Sequence, residues 1–370
     1  MLSRFGEVHQ QNIFVIGHSN LQIMKTKYEK DEAIITVIIP TFNRAKLLLR
    51  AINSVKRQSY QNWRLIISDN ASTDETPSVV ADAMRIDSRI NYLRHPENIG
   101  MLPNWAFAIS KVETPFFCIL CDDDILLPEF FQTTIDTMLE RNKIGLCFGT
   151  TAIVDDNGFY LGPAPKEMSF GYYPAGYGAS AMIKSQHPAS TGTLFRTSCV
   201  EAVGGFDQHS HYVADLDMML RVALMYPIVY VDKEVAFYIV HDKKSFKDNS
   251  FWFPGIINVL RNIKRFEIDD PSEKLLILKR LTNNAVLPLI IHFIGHPLSS
   301  YKSINFTMIF KYLQEAWPTK RMILYYLFTC VIQTGALLYK NKRLFLSHFL
   351  KFKDKNKMYL CRHPNADEYF

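Results

Sequence analysis

Four short apolar runs, each closed by a polar turn, constrain the fold of this chain more than any other feature of its sequence. Residues 34–40 (Ile-Ile-Thr-Val-Ile-Ile-Pro) are β-branched and end in proline, which predicts a strand buried on both faces. Leu47, Leu48, Ala51, Ile52 and Val55 then recur at helical spacing over 46–55. The rhythm repeats: a strand at 63–68, a helix at 74–86 with Ser72 or Thr73 as its cap, a strand at 90–94, a helix at 103–110, and a strand at 116–121. A helix at 129–140 and a strand at 145–150 follow. Such alternation predicts a mostly parallel sheet with right-handed crossovers, whose ligands bind outside the carboxyl ends of the strands. The polar residues directly after strands one, two and four are 41–44, 69–73 and 122–124.

Residues 163–187 are rich in glycine, proline and tyrosine with little periodicity, and read as a loop. Beyond it the pattern gives a strand at 191–195, a helix at 215–225, and two strands at 228–231 and 235–240. Three regions follow: an extension at 1–32, a catalytic domain at 33–249, and a helical, basic region at 250–370. The last holds 18 Lys and Arg against 8 Asp and Glu, leaving 24 against 28 in residues 1–249. Cations concentrated beside apolar stretches suit the inner face of an anionic membrane; a nucleic-acid partner is not expected, because its cations would cover one compact module. Residues 322–339 are 18 in a row without charge, at the lower bound for a span, and read as a packed or interfacial helix, an in-plane anchor, or a true span. The six cysteines lack metal or redox spacing and are expected as buried free thiols. The start lacks a signal-peptide pattern, so a cytoplasmic location is expected.

Three adjacent carboxylates, Asp122, Asp123 and Asp124, close the fourth strand. Like charges so near one another repel unless a cation compensates, and a hard divalent ion with oxygen ligands, Mg2+ or Mn2+, that also bridges two phosphates is the economical reading. The alternative is an exposed acidic turn capping the next helix.

Strand-Pro-Thr-Phe-Asn-Arg, Ser-Asp-Asn-Ala-Ser-Thr-Asp-Glu-Thr, Glu-Asn-Ile-Gly-Met-Leu-Pro-Asn and Asp-Asp-Asp before Leu-Pro occur in that order within roughly 90 residues, each after a predicted strand. Together they resemble the motifs of family-2 glycosyltransferases. The resemblance implies an α/β architecture of GT-A type, a Rossmann-like, mostly parallel sheet flanked by helices, here with a helical C-terminal appendage. It also implies that Pro40, Thr41 and Asn43 line the nucleotide pocket and that Asp69 hydrogen-bonds the base, commonly uracil, so that a UDP-sugar is favoured. Asn98, with Gly100 and Asn104, matches an element beside the nucleotide, and Thr193 with Thr191 lies behind the donor sugar. Asp122 falls near the ribose, and Asp123 ligates the metal with Asp124 or Asp122 beside it. Family members often carry Asp where this chain has Cys121.

Further along, Val203-Gly-Gly-Phe-Asp207 and Ala214-Asp215-Leu-Asp217 resemble the acceptor-side segment of the same family, in which Glu-Asp opens a helix; Ala214 replaces the Glu. Asp215 takes the catalytic position. A carboxylate at a helix N-terminus is held ionised by the free N–H groups, a state suited to accepting a hydroxyl proton. Asp217 is expected as a supporting residue, and His241 matches a position near the diphosphate or its metal. His209, His211 and Arg196 read as ordinary loop or surface residues, and Lys243 and Lys244 as a solvated run that could also neutralise a diphosphate. The expected activity is inverting sugar transfer to a glycan or polyprenyl-diphosphate-linked acceptor in bacterial surface polysaccharide synthesis. A processive synthase is disfavoured by the absence of Gln-x-x-Arg-Trp, and a nucleotidyltransferase by the absence of a glycine-rich phosphate loop. A degenerate nucleotide-sugar-binding or scaffold protein is the alternative without turnover.

Overall fold

The computed structural model describes residues 33–165, 168–185, 188–241, 252–266, 272, 276–277 and 362–369. Residues 322–339 and both Lys243 and Lys244 lie outside these, as does the extension before residue 33. No helix among the described residues is long and apolar enough to cross a membrane.

The apolar runs form β1 (Ile35–Thr41), β2 (Trp63–Asp69), β3 (Ile90–Arg94) and β4 (Phe116–Ile119), alternating with α1 (Ala45–Lys56), α2 (Thr76–Ile86) and α3 (Met101–Ile109). All seven residues of β1 are buried, as a strand covered on both faces requires. After β4 come β5 (Ile125–Leu126), α4 (Phe130–Glu140), β6 (Leu146–Asp155), β7 (Tyr160–Ala164), β8 (Gly171–Tyr173) and α5 (Tyr177–Ser185). The chain continues through β9 (Thr193–Arg196), α6 (Thr197–Ala202), a 3-10 turn (Gln208–Val213), α7 (Ala214–Met225), β10 (Ile228–Val240) and α8 (Trp252–Arg265).

One sheet holds the strands in the order β3-β2-β1-β4-β9-β6-β10-β5, with β7 on β6 and β8 on β10. Strands β3, β2, β1, β4, β6 and β10 run in one direction, so their carboxyl ends share an edge; β9 runs against its neighbours β4 and β6. Helices cover both faces. Leu48, Ile52 and Val55 of α1 join Val80 of α2 and Phe131 and Ile135 of α4 on one side. Ala108 of α3, Met182 of α5, Val200 of α6, Met219 and Val222 of α7 and Ile257 and Leu260 of α8 pack on the other. Each such side chain, fully buried, contributes roughly 1.5–3 kcal/mol of transfer free energy.

Three sequence expectations need correction. The 163–187 stretch is not all loop: it holds the end of β7 and all of β8 and α5. Both strands are short and pair on one side only, so they carry no alternating pattern to detect. The pair of strands at 228–231 and 235–240 is one strand, β10, which stays paired to β6 across Asp232-Lys233-Glu234 through two register shifts. The cap of α2 is neither Ser72 nor Thr73: the helix starts at Thr76, whose N–H donates to Asp74 Oδ1 at 3.0 Å.

The end of the chain returns to this sheet. Arg362 bridges Phe159, His363 Nε2 lies 2.8 Å from Glu234 Oε1 on β10, and Arg57, directly after α1, stacks over Tyr369.

Candidate active site

The first two loops at the carboxyl edge are built on each other. Asn43 adopts a left-handed conformation (φ 54°), which turns the chain from β1 into α1. Its side-chain oxygen accepts from Thr73 N at 2.7 Å, and its N–H donates to Ser72 Oγ at 2.9 Å. Asp74 then supplies the cap that Arg44 cannot, accepting from Ala45 N at 3.0 Å as well as from Thr76 N. Burial raises the Asp74 pKa, but these hydrogen bonds outweigh it and leave the group below its ordinary value. Pro40 lies inside β1 opposite Ser68.

Asp69 is fully buried at the end of β2. Its Oδ1 accepts from Ser72 N and Oγ, and its Oδ2 accepts from Tyr92 OH, with Arg94 Nε 3.4 Å away. Burial and then Asp69 push the Tyr92 hydroxyl up. Asp69 thus already organises the second loop from within. Asn98 Oδ1 accepts from Asn70 Nδ2 and Gly100 N, both at 2.9 Å. Buried Asn104 donates to Ser68 O at 2.9 Å, tying α3 to the end of β2.

The three carboxylates do three different things. Asp122 Oδ2 accepts from Thr41 Oγ1 at 2.7 Å, and its Oδ1 accepts from Arg44 Nη1 at 3.1 Å. Burial exceeds the opposing effect of Arg44 and pushes Asp122 up to about 6. Asp124 is 1% exposed; its Oδ2 accepts from Thr191 Oγ1 at 2.6 Å and its Oδ1 from Ile239 N at 2.9 Å, so it pins β10 to the motif. Burial, then Asp123, raises its pKa. Asp123 is the most open of the three, and its Oδ2 lies 2.6 Å from Arg44 Nη1 and 3.2 Å from His241 Nε2.

His241 follows β10, with Nδ1 bonded to Asp156 Oδ1. Its Nε2 is buried and makes no hydrogen bond: the 3.2 Å approach to Asp123 is near enough for an ion pair but not aligned for a bond. Two ligands at right angles on an octahedral ion with bonds of about 2.1 Å lie about 3 Å apart. The orphaned nitrogen and the carboxylate oxygen therefore fit a shared divalent cation. The Cys121 thiol, Asp123 and Asp124 also offer atoms within 4.8 Å of one another. Burial and then the neighbouring carboxylates push that thiol well above its ordinary pKa. The four cysteines among the described residues are all unpaired.

Asp215 stands in the first turn of α7. Its Oδ2 accepts from Ser190 Oγ at 2.7 Å, and its Oδ1 from Leu216 N at 2.8 Å. Ser190 and Thr191 are consecutive, so one loop gives one hydroxyl to Asp215 and the next to Asp124. The sequence reading did not single out Ser190. Gly192 has φ 89°, and a Cβ there would meet Thr151 Oγ1 at 2.8 Å, which accounts for glycine between the two threonines. Thr193 is buried and donates to Ala189 O at 2.8 Å, bracing the same loop. Tyr238 on β10 lies among these groups: burial, then Asp124, Cys121, Asp123 and Asp215, raise its pKa. Asp217 is buried and paired with Arg221 at 2.8 Å, a supporting role as expected. His209 is exposed and bonds only within its own loop, to Asp207, and Arg196 braces β9 to Ile144 O at 2.8 Å.

Residues 36–204 match the family described as Glycosyl transferase family 2. A GalNAc(5)-diNAcBac-PP-undecaprenol beta-1,3-glucosyltransferase of Campylobacter jejuni is 38% identical over 112 residues, 30% of this chain and 35% of that protein. A UDP-Glc:alpha-D-GlcNAc-diphosphoundecaprenol beta-1,3-glucosyltransferase of Escherichia coli is 29% identical over 127 residues, 34% of this chain and 49% of that protein. The matched segments thus span between a third and a half of these relatives. Among solved structures, TarS of S. aureus in complex with UDP-GlcNAc superposes with a TM-score of 0.60 at 15% identity, over 72% of this chain and 76% of that one. That likeness establishes the GT-A fold.

Proposed function

We propose that this chain, whose residues 36–204 match the family described as Glycosyl transferase family 2, transfers a sugar from a UDP-sugar to a hydroxyl of a lipid-linked glycan, with inversion. The reading rests on one observation above the others: consecutive hydroxyls of Ser190 and Thr191 join Asp215 to the acidic motif, so base and donor side share one edge of the sheet. Support for the acceptor class comes from the two relatives named for undecaprenol-linked substrates. Support for UDP comes from the relative whose name gives UDP-Glc as donor. A lipid-linked acceptor puts the work at a membrane surface, and the basic balance of residues 250–370 suits an anionic one.

Asp215 accepts the proton of the acceptor hydroxyl as that oxygen attacks the anomeric carbon. The new C–O bond forms on the face opposite the breaking bond to the diphosphate, which leaves with its electron pair, and no covalent enzyme intermediate arises. Ser190 Oγ and the Leu216 N–H orient the base by holding Oδ2 and Oδ1. Asp123 and His241 would hold a divalent cation, Mg2+ or Mn2+, whose positive charge would favour departure of the diphosphate. Asp124 holds β10, and with it His241, against the motif. The loops carrying Pro40, Thr41, Asn43, Asp69 and Asn98 bound the nucleotide side, with Asp122 and Thr193 towards ribose and sugar.

The test is release of UDP from UDP-glucose and UDP-N-acetylglucosamine with Mn2+ and an undecaprenyl-diphosphate-linked sugar, comparing the native chain with Asp215→Asn. Removing a general base costs about 10²- to 10⁴-fold in kcat. Turnover of neither donor, or an Asp215→Asn variant as fast as the native chain, rejects the assignment.

A further inference from the structure

Helix α8 lies beyond the residues that match the family, yet it reaches into the acceptor side of the site. Asn262 is 6% exposed, and its single amide nitrogen donates to Asp207 Oδ2 at 3.0 Å and to Asp217 Oδ1 and Oδ2 at 3.1 and 3.2 Å. One turn earlier, Asn258 Nδ2 donates to the same Asp207 oxygen at 2.7 Å and to Ser210 Oγ at 2.9 Å. Asp207 begins the 3-10 turn that leads into α7, and Asp217 lies two residues past Asp215, so the two carboxylates bracket the proposed base.

The bracketed segment does not hold itself. His211 within it has φ 49° and ψ −132°, a conformation that persists only where surrounding contacts impose it. Some of those contacts come from α8. A Cβ on Gly255 would meet Ser210 O at 2.4 Å, so the helix packs backbone to backbone against the turn. From the other side, Arg221 ties Asp217 to the chain before the turn, donating to Val203 O at 2.6 Å and Gly205 O at 2.7 Å. A neutral amide suits the place between Asp207 and Asp217: it offers two N–H donors to two carboxylates and adds no charge to them.

We propose that Asn262, supported by Asn258, is a positioning residue for Asp215: α8 fixes the start of α7, and thereby the angle at which the base meets the acceptor hydroxyl. The inference rests on Asp215 being the base. Misplacing a reacting group by about 1 Å costs about 10²-fold. In the full chain, Asn262→Leu is expected to lower transfer kcat on the order of 10- to 100-fold. Calorimetric affinity for UDP with Mn2+ should stay unchanged, because the bonds described above for Asp69 and the acidic motif go to elements other than α8.

The deciding measurement is a double-mutant cycle with whichever of UDP-glucose and UDP-N-acetylglucosamine is turned over. If Asn262 acts through Asp215, Asn262→Leu causes no further loss in an Asp215→Asn background. The same loss in both backgrounds, or no loss in the native one, overturns the proposal. Should Asn262→Leu fail to fold, Asn258→Ala, which removes only the bonds to Asp207 and Ser210, runs the same cycle with the same criterion. Full activity in Asp215→Asn alone removes the base itself, a result distinct from additivity, and the positioning role falls with it.

Discussion

Thr191→Val replaces a hydroxyl by a methyl group of nearly the same shape, at a residue only 1% exposed. What disappears is the 2.6 Å bond to Asp124, itself 1% exposed, leaving that carboxylate with the Ile239 N–H alone, together with the long 3.5 Å bond that Thr191 Oγ1 accepts from Cys121 N. A hydrogen bond to a buried charged group is worth about 1.5–3 kcal/mol, and one between neutral groups about 1. Because burial and Asp123 raise the Asp124 pKa, both regimes fall within a workable pH range. The sign follows from the bond itself: it favours the ionised carboxylate, so its contribution is larger above the folded pKa of Asp124 and shrinks as pH falls through it. For a domain of this size 1 kcal/mol moves Tm by about 2–4 °C, so the charged regime predicts a loss of roughly 3–12 °C. Thermal unfolding of the native and variant chains at several pH values reads this directly. A difference that stays below about 0.5 kcal/mol throughout, or that grows towards acid, refutes the placement of Thr191 on an ionisable Asp124.

Two further outcomes are expected. Asp156→Asn, which removes the charge orienting His241 but no proposed ligand, should weaken Mn2+ binding about 10- to 100-fold, as outer-shell changes do, read by electron paramagnetic resonance; native affinity retained in both Asp156→Asn and His241→Ala would exclude His241 from the metal. Asp207 is pushed up by burial but pulled lower by Asn262, His209 N and Asn258, to about 2 from 3.8, so its roughly 2 kcal/mol of stabilisation is complete above the unfolded value and is lost as pH falls towards 2. Denaturant unfolding of the native chain and Asp207→Asn should therefore converge between pH 5 and 2; a constant difference counts against the network.

Much of this architecture was legible because two periods carried it. β1 to β4 and α1 to α4 appear within one or two residues of the expected bounds, since continuous apolar runs mark the buried strands and helical spacing marks the helices. The acidic motif was legible for another reason: a run of carboxylates after an apolar strand has few structural explanations. What could not be read were pairings between distant elements. β7 and β8 exist because β6 and β10 offer them edges, and nothing in their own few residues announces it. The three carboxylates are identical in sequence, yet one faces Thr41, one Arg44 and His241, and one Thr191 and Ile239. Only the fold distinguishes them.

The same reasoning explains why Ser190 and Asn262 escaped notice. A serine in a loop and an asparagine in a helix are unremarkable by type; their significance comes from the carboxylate each meets. Those meetings join parts of the chain far apart in sequence. Ser190 lies within the matched family region and Asp215 beyond it, while Asn262 lies further still. The proposed donor side is assembled from consecutive strand ends and is therefore dictated locally, whereas the proposed acceptor side depends on a loop, a 3-10 turn and two helices closing upon one another. A chain built this way can change its acceptor by altering α8 or the 163–187 stretch while leaving the loops around the acidic motif intact. Substitutions in those two regions should accordingly shift acceptor KM before they touch donor affinity.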